Sequence, residues 1–179
     1  MERCFDIFFS GLALLALFPL LLTVVFILRF TGEGEIFFSQ ERIGRMGKVF
    51  KLLKFATMVK NSPNIGTKTV TMKNDPRILP CGKFLRKTKI NELPQLLNIL
   101  FGHMSIIGPR PLTLQSFLLY SPRIQEIVKQ VRPGLSGLGS VVFRNEEDIL
   151  HSTSASIDFY DKTITPYKGL LEEWFVLNK

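Results

Sequence analysis

The sequence has few cysteines, few carboxylates relative to its cations, and no internal repeat. Its two cysteines, Cys4 and Cys81, form neither a C-x-x-C pair nor a disulfide framework, so the expected environment is a reducing compartment. Asp and Glu number 15 against 23 Lys and Arg, which gives a net charge of +8. The length of 179 residues suits a single domain.

What the sequence does contain is apolar and basic residues together. Hydrophobic residues make up 46% of the chain and the mean hydropathy is +0.20. The cytoplasmic leaflet of a bilayer is both apolar and anionic, so a membrane surface is the expected partner. Nucleic acid would explain the charge but not the apolar N-terminus, and we expect no nucleic-acid partner.

Residues 1–30 form the longest apolar stretch, and its central run of about 17 residues from Leu12 to Leu28 contains one polar residue, Thr23. Glu2 and Asp6 weaken the positive region that a signal peptide needs, and no small-x-small cleavage site follows. Two interpretations stay open. The segment is a spanning helix, or it breaks at Pro19 and returns to the side it entered, because proline removes a backbone hydrogen bond in mid-helix.

The middle of the chain predicts a hairpin followed by a long helix. Short strands are predicted at 36–39 and 49–58, on either side of a basic, glycine-containing turn. A polar linker over 61–73 leads to a predicted helix over 79–101, whose apolar residues follow a helical period. Pro94 predicts a break or a new start in this helix, which places Asn91 and Glu92 at a helix junction.

Towards the C-terminus, the sequence predicts helices over 117–131 and 159–177. Between them lies a glycine-rich turn over 134–139, which lacks the strand-then-helix context of a nucleotide-binding loop. An acidic cluster over 146–148 and a weakly structured loop over 152–157 follow.

Several motifs occur in one order along nearly the whole chain. The motifs are Phe38-x-Gln-Glu-Arg-x-Gly, Lys54-Phe55, Asp75-Pro-Arg77, Gly82-Lys-Phe-Leu-Arg86, Glu92-Leu-Pro-Gln95, Gly108-Pro-Arg-Pro111 and Pro133-Gly134. Together they resemble those of the bacterial sugar transferases, the monotopic polyprenyl-phosphate phosphoglycosyl transferases, and the short chain is similar to the minimal form of that family.

The resemblance implies a helix-rich α/β fold with a short β-hairpin and interfacial amphipathic helices. It implies a division into a re-entrant membrane helix over 1–30, broken at Pro19, and a catalytic domain over 31–179. It also implies a monotopic protein of the bacterial inner membrane, with the catalytic part on the cytoplasmic face. The family's break is usually Ser-Pro, whereas this chain has Phe18-Pro19.

The implied reaction moves a sugar-1-phosphate from a UDP-sugar to polyprenyl (undecaprenyl) phosphate, releasing UMP and starting assembly of a surface glycan. Magnesium is the implied cofactor, with Glu92 as its ligand, since a hard dication suits carboxylate and diphosphate oxygens. The residues implied to bind substrate phosphates are Arg110, Lys54, Arg77 and Arg86.

One position departs from the family at the reacting atom. The family's catalytic pair is Asp-Glu, with the aspartate as nucleophile, and here the pair is Asn91-Glu92. An amide oxygen is a poor nucleophile. Three hypotheses follow: polyprenyl phosphate attacks directly, a carboxylate such as Glu147 or Asp148 replaces the nucleophile, or the chain is a catalytically silent homologue that binds a lipid substrate or a partner.

Overall fold

A computed structural model describes residues 2–31, 33–65, 75–144 and 159–179 of the chain. Its α-helices are α1 (Glu2–Phe30), α2 (Pro80–Lys87), α3 (Gln95–Leu100), α4 (Leu114–Leu118), α5 (Pro122–Val128), α6 (Leu138–Val142) and α7 (Thr165–Leu177). Its strands are β1 (Phe37–Ile43), β2 (Val49–Phe55), β3 (Ser105–Ile107) and β4 (Gly134–Ser136). The predicted helix-rich α/β fold with a short hairpin is confirmed. The acidic cluster over 146–148 and the loop over 152–157 lie outside the described residues, as does most of the linker over 61–73.

The predicted hairpin is β1 and β2, which pair antiparallel with Phe37 opposite Phe55 and Ile43 opposite Val49. Its turn contains Met46 and Gly47, both in the left-handed region with φ of 59° and 72°. Glycine takes this conformation at no steric cost, whereas Met46 carries local strain. The second strand ends at Phe55, three residues short of the predicted end.

The helix predicted over 79–101 is divided into α2, a 3₁₀ turn at Ile90–Glu92, and α3. Lys89 adopts φ 60°, which ends the first helix, and Pro94 precedes the first residue of α3. The predicted junction at Asn91 and Glu92 is therefore confirmed, and these two residues lie on a short turn rather than on a long helix.

Two predicted elements were wrong in detail. The helix predicted over 117–131 is interrupted, because α4 ends at Leu118 and α5 begins at Pro122, where the Ser121 hydroxyl caps the new helix by accepting from Ile124 N. The glycine-rich segment over 134–139 is not only a turn, since its first three residues form β4, parallel to β3. The C-terminal helix is confirmed as α7, preceded by a π-helical turn at Tyr160–Ile164.

Helix α1 contacts the rest of the protein along its whole length through one stripe of residues. Its N-terminal half packs on a core of Phe50, Leu52, Leu96, Ile99 and Met104. Its C-terminal half adds Val24 and Leu28 to a second core with Phe55 and Leu85. The opposite face is apolar and exposed, and the helix is long and apolar enough to cross a membrane by length and composition.

The structure assigns α1 as one helix that continues through Pro19. The predicted interruption at this proline therefore does not show as a change of secondary structure. The re-entrant arrangement concerns the path of the helix through lipid, and it stays a prediction.

Polar contacts fix the N-terminal end of α1 to the globular part. The Arg3 guanidinium donates to the carbonyls of Ile99 and Leu100, the last two residues of α3, at 2.5 and 2.6 Å. Asp6 Oδ1 accepts from Ser105 Oγ at 2.9 Å and from Ile106 N at 3.0 Å. These contacts tie the start of α1 to α3 and β3.

Candidate active site

An ion pair between the hairpin and the helix junction forms the centre of the site. Lys54 Nζ, near the end of β2, lies 2.9 Å from Glu92 Oε1 on the 3₁₀ turn. Their side chains are 23% and 26% exposed, so both can be reached by a ligand from solvent. The sequence prediction that these two residues belong to one site agrees with this placement.

Asn98 of α3 links the strand that carries Lys54 to the helical segment that follows Glu92. Its Oδ1 accepts from Leu53 N at 2.9 Å and its Nδ2 donates to the carbonyl of Lys51 at 2.8 Å. The side chain thereby occupies the free backbone groups along the edge of β2, next to Lys54. Because Asn98 and Glu92 lie on adjacent short elements, this contact fixes the separation of the lysine and the carboxylate.

Two arginines add positive charge around Glu92. Arg110 is exposed, follows β3, and lies close enough to influence the charges of Arg42, Lys54 and Glu92. Arg42 of β1 donates to Gln40 Oε1 at 2.6 Å and to the carbonyl of Pro111 at 3.0 Å. One carboxylate is thus surrounded by three cations, which is an arrangement suited to a polyanionic ligand.

The pKa shifts follow from burial and this local charge. Burial would raise the pKa of Glu92, but Lys54, Arg110 and Lys89 outweigh it and the pKa lies below its ordinary value. Burial lowers the pKa of Lys54, and Glu92 opposes that change. Burial and the charge of Arg110 lower the pKa of Arg42 to about 10. At neutral pH the carboxylate of Glu92 is therefore ionised.

Asn91 lies directly beside this cluster and is 6% exposed. Its Oδ1 is buried and has no hydrogen-bond partner within the described ranges. An unpaired buried carbonyl oxygen lowers the stability of the folded protein, and a bound ligand or ion is one explanation for such a group. The amide oxygen of Asn91 is thus buried and unpaired, and it cannot act as a strong nucleophile.

The other two predicted phosphate-binding residues lie apart from these contacts. Arg77 is buried in a bidentate ion pair with Asp75, at 2.8 and 2.6 Å, and it also donates to the carbonyls of Ser62 and Ile65. This arginine holds the segment after β2. Arg86 of α2 lies within 4.0 Å of Met58 Sδ. No contact brings either guanidinium to Glu92 in the described part of the chain, and their phosphate-binding role stays a prediction.

The Gly-Pro-Arg-Pro turn is held by backbone contacts with the segment around β4. Gly108 N donates to the carbonyl of Ser136 at 2.9 Å, and Gly134 N donates to the carbonyl of Pro109 at 2.8 Å. A Cβ at Gly108, Gly134 or Gly137 would collide with the backbone across this contact. Glycines are therefore required for close approach here, and this approach sets the position of Arg110.

The sequence did not identify two residues that the structure brings to the site. Arg42 occurs in the Gln-Glu-Arg motif. In the hairpin register it lies on the same face as Lys54, and the alternation of the two predicted strands could have indicated that it belongs to the site. Glu172 of α7 lies behind the Arg110 turn, and its carboxylate accepts from Arg110 N at 3.4 Å. A lone glutamate on an amphipathic helix, 62 residues away in the chain, carries no sequence signal.

A magnesium ion would rely on few protein ligands. Within the described residues, no group of three or more His, Cys, Asp or Glu side chains is placed to hold a metal. Mg²⁺ is commonly held by one or two carboxylates together with substrate phosphates. Lys54 uses one oxygen of Glu92, which leaves the other oxygen of this carboxylate for an ion that binds together with a diphosphate. The next residue back, Asn91, has a buried Oδ1 without a partner in the described part of the chain.

Comparisons with known proteins give one family. The family model described as bacterial sugar transferase matches residues 1–166. The chain is 38% identical over 171 residues to the exopolysaccharide production protein ExoY of Sinorhizobium fredii, which covers 88% of this chain and 74% of that protein. It is 37% identical over 163 residues to a UDP-glucose:undecaprenyl-phosphate glucose-1-phosphate transferase of Klebsiella pneumoniae, covering 88% of this chain and 34% of that protein. It is 35% identical over 162 residues to an undecaprenyl-phosphate galactose phosphotransferase of Salmonella typhimurium, covering 83% and 34% respectively.

Proposed function

This chain belongs to the bacterial sugar transferase family, and on that premise we propose that it transfers a sugar-1-phosphate from a UDP-sugar to polyprenyl phosphate. The products are a polyprenyl-diphospho-sugar and UMP. The observation that carries the proposal is the cluster of three cations around Glu92. A diphosphate is the ligand that this charge pattern suits best, and the names of the Klebsiella and Salmonella relatives specify undecaprenyl phosphate as acceptor.

The step consistent with Asn91 is direct attack. A phosphate oxygen of the polyprenyl phosphate forms a bond to the phosphorus that carries the sugar. The bond from that phosphorus to the bridging oxygen breaks, and its electron pair leaves with UMP. The attacking oxygen is already an anion, so the step needs positioning and charge neutralisation more than a strong base. Lys54, Arg42 and Arg110 supply that charge.

Magnesium is part of this proposal. Glu92 would hold it, with Asn91 Oδ1 as an available neutral oxygen, and the ion would neutralise charge on the diphosphate when bound. The lowered pKa of Glu92 supports this role, because the carboxylate is ionised at neutral pH. Thermal unfolding in the presence of UDP tests the magnesium site without depending on turnover. We expect the melting temperature to fall when Mg²⁺ is removed.

A panel of UDP-sugars with undecaprenyl phosphate, read by UMP release, tests the activity. Wild type should release UMP with at least one donor. Glu92→Gln should lower the rate by about 10²–10³-fold, as expected for loss of a charge at the reacting centre. Glu126→Gln is a suitable control, because Glu126 is an exposed residue paired with Lys129 on α5. No release with any donor would contradict the proposal.

The nucleophile can be tested separately with radiolabelled sugar phosphate. Direct attack predicts turnover without a labelled protein adduct in wild type, and an adduct in Asn91→Asp, which restores the family's carboxylate. An adduct in wild type that disappears in Asp148→Asn would show a relocated nucleophile instead. Asp148 lies outside the described residues.

A catalytically silent homologue is the second candidate, and Asn91 is the observation that favours it. It predicts binding of polyprenyl phosphate without UMP release from any UDP-sugar. The ionised Glu92 and the exposed Arg110 favour the transferase, since both are in place for a diphosphate.

The family is membrane-associated in bacteria, and α1 supplies a suitable apolar helix. The finer proposal is a monotopic protein of the inner membrane with its active site on the cytoplasmic face, where UDP-sugars are found. The contacts of Arg3 and Asp6 support it, because they hold the N-terminal end of α1 against the same globular part that packs on its C-terminal end.

A further inference from the structure

Glu172 of α7 is a buried carboxylate in contact with the site, and the matched family model ends at residue 166, before it. Its side chain is among the largest fully buried ones, and the residue is 2% exposed. A carboxylate this deeply buried is costly unless its oxygens accept hydrogen bonds. The hydrogen-bond donors around the Glu172 carboxylate therefore indicate its role.

The contacts of Glu172 converge on Arg110. Arg110 N donates to Glu172 Oε1 at 3.4 Å, and the N–H of Gly139 also donates to this carboxylate. The residue after Gly139 is Ser140, whose hydroxyl lies 3.4 Å from Arg110 Nη1. One carboxylate thus binds the backbone of Arg110 and also helix α6, whose Ser140 contacts the guanidinium.

The glycines around Glu172 show that the space is shaped for its carboxylate. A Cβ at Gly139 would lie 2.7 Å from Glu172 Oε1, and a Cβ at Gly137 would lie 3.5 Å from it. A larger residue at 139 would push the carboxylate away from Arg110 N. The second oxygen, Oε2, is buried without a hydrogen-bond partner in the described part of the chain. The positive charges of Arg110 and of Lys168, one turn earlier on α7, also favour the ionised carboxylate.

We propose that Glu172 is a positioning residue, which orients Arg110 towards the diphosphate of the nucleotide sugar. The inference rests on the proposed function for the identity of the ligand. It assigns α7 a part in the site, beyond packing under the Gly-Pro-Arg-Pro turn. The burial of Glu172 raises its pKa, and the N–H donors of Arg110 and Gly139 oppose that change.

A double-mutant cycle with UDP as the probe tests this. Binding of UDP in the presence of Mg²⁺ is measured by calorimetry on the full chain in detergent, so the readout does not depend on transfer. Arg110→Ala should weaken binding about 10- to 100-fold, as for loss of a charge-assisted contact. Glu172→Ala should weaken it about 5- to 10-fold when Arg110 is present, and less than 2-fold when Arg110 is already alanine.

Three further variants separate positioning from general stability. Glu172→Gln keeps an acceptor oxygen and should stay within about 2-fold of wild type. Gly139→Ala, which displaces the carboxylate without removing it, should weaken UDP binding as Glu172→Ala does. Glu173→Gln, on the same helix and paired with Arg123, is the matched control and should leave UDP binding unchanged.

If Glu172→Ala weakens UDP binding equally with and without Arg110, this inference is overturned while the proposed function stands. Wild-type UDP affinity in both Glu172→Ala and Gly139→Ala would have the same consequence. If Glu172→Ala fails to fold, Gly139→Ala in the same cycle decides the matter. A wild-type protein that binds no UDP would overturn the proposed function together with this inference.

Discussion

At the scale of single residues, the balance between Lys54 and Glu92 decides how the site responds to pH. Glu92 has a pKa below its ordinary value of 4.5, so it is ionised throughout the neutral range. A carboxylate with a lowered pKa contributes stability that is present above its unfolded pKa and is lost as pH falls through the folded one. Loss of Glu92 charge therefore does not limit activity between pH 5 and 7.

Lys54 is expected to determine the alkaline side of the pH profile of UMP release. Its pKa lies below the ordinary 10.5, because burial disfavours the charged amine. UMP release should therefore fall on the alkaline side before pH 10.5, as Lys54 loses its proton. In Lys54→Arg this alkaline limb should move to higher pH, because a guanidinium holds its proton more strongly than an ammonium group. An unchanged alkaline limb in Lys54→Arg would contradict the assignment of that limb to Lys54.

At the scale of elements, the site depends on short pieces of structure joined by side chains. The strand β2 and the helix α3 meet through Asn98, which is 2% exposed and makes two hydrogen bonds to the strand. Neither element is long enough to be stable alone, so their joint position depends on contacts of this kind.

Substitution of Asn98 tests this dependence. Asn98→Ala leaves Leu53 N and the carbonyl of Lys51 without their partner, and we expect it to lower the free energy of unfolding by about 2–4 kcal/mol. Asn98→Asp keeps the acceptor for Leu53 N but cannot donate to Lys51, so its cost should also be measurable. Thermal unfolding in detergent gives the comparison, and a melting temperature for Asn98→Ala equal to that of wild type would contradict the role.

The sequence predicted the elements that local chemistry decides. The hairpin follows from its alternation and its glycine turn, and the junction at Asn91 and Glu92 follows from Pro94. The strand β4 was missed, because three residues carry little pattern and pairing depends on Gly108 from another part of the chain. The interruption before Pro122 was missed because the apolar period continues across it.

The structure brings together some of the predicted site residues and leaves others apart, while their roles stay predictions. Lys54 and Glu92 were chosen because motifs mark them, and the structure brings them together. Arg77 was chosen on its motif and charge, but its burial against Asp75 depends on tertiary packing. Glu172 could not be found, since its contact with Arg110 is produced only by the folding of α7 across the turn.

At the scale of the whole molecule, the described structure places both ends of α1 on the same globular part. Lys179 Nζ lies 3.0 Å from Glu2 Oε2, and Arg3 binds the end of α3. These contacts support the proposed re-entrant arrangement, in which α1 does not carry its N-terminal end across the membrane.

We therefore expect the two ends of the chain to lie on the same side of the inner membrane. Fusions of green fluorescent protein to either end should fluoresce, and fusions of alkaline phosphatase to either end should be inactive, since this enzyme needs the periplasm. Active phosphatase at the N-terminal end alone would contradict this arrangement and would support a spanning helix.

The most direct measurement is transfer of label from a UDP-sugar that carries ³²P in the phosphate next to the sugar, with undecaprenyl phosphate as acceptor. We predict that label appears in the lipid phase in step with UMP, and that Glu92→Gln and Arg110→Ala reduce it by about 10²-fold or more while Glu126→Gln does not. Absence of labelled lipid for every donor, with wild-type protein that is folded and binds polyprenyl phosphate, would contradict the transferase and support a binding protein.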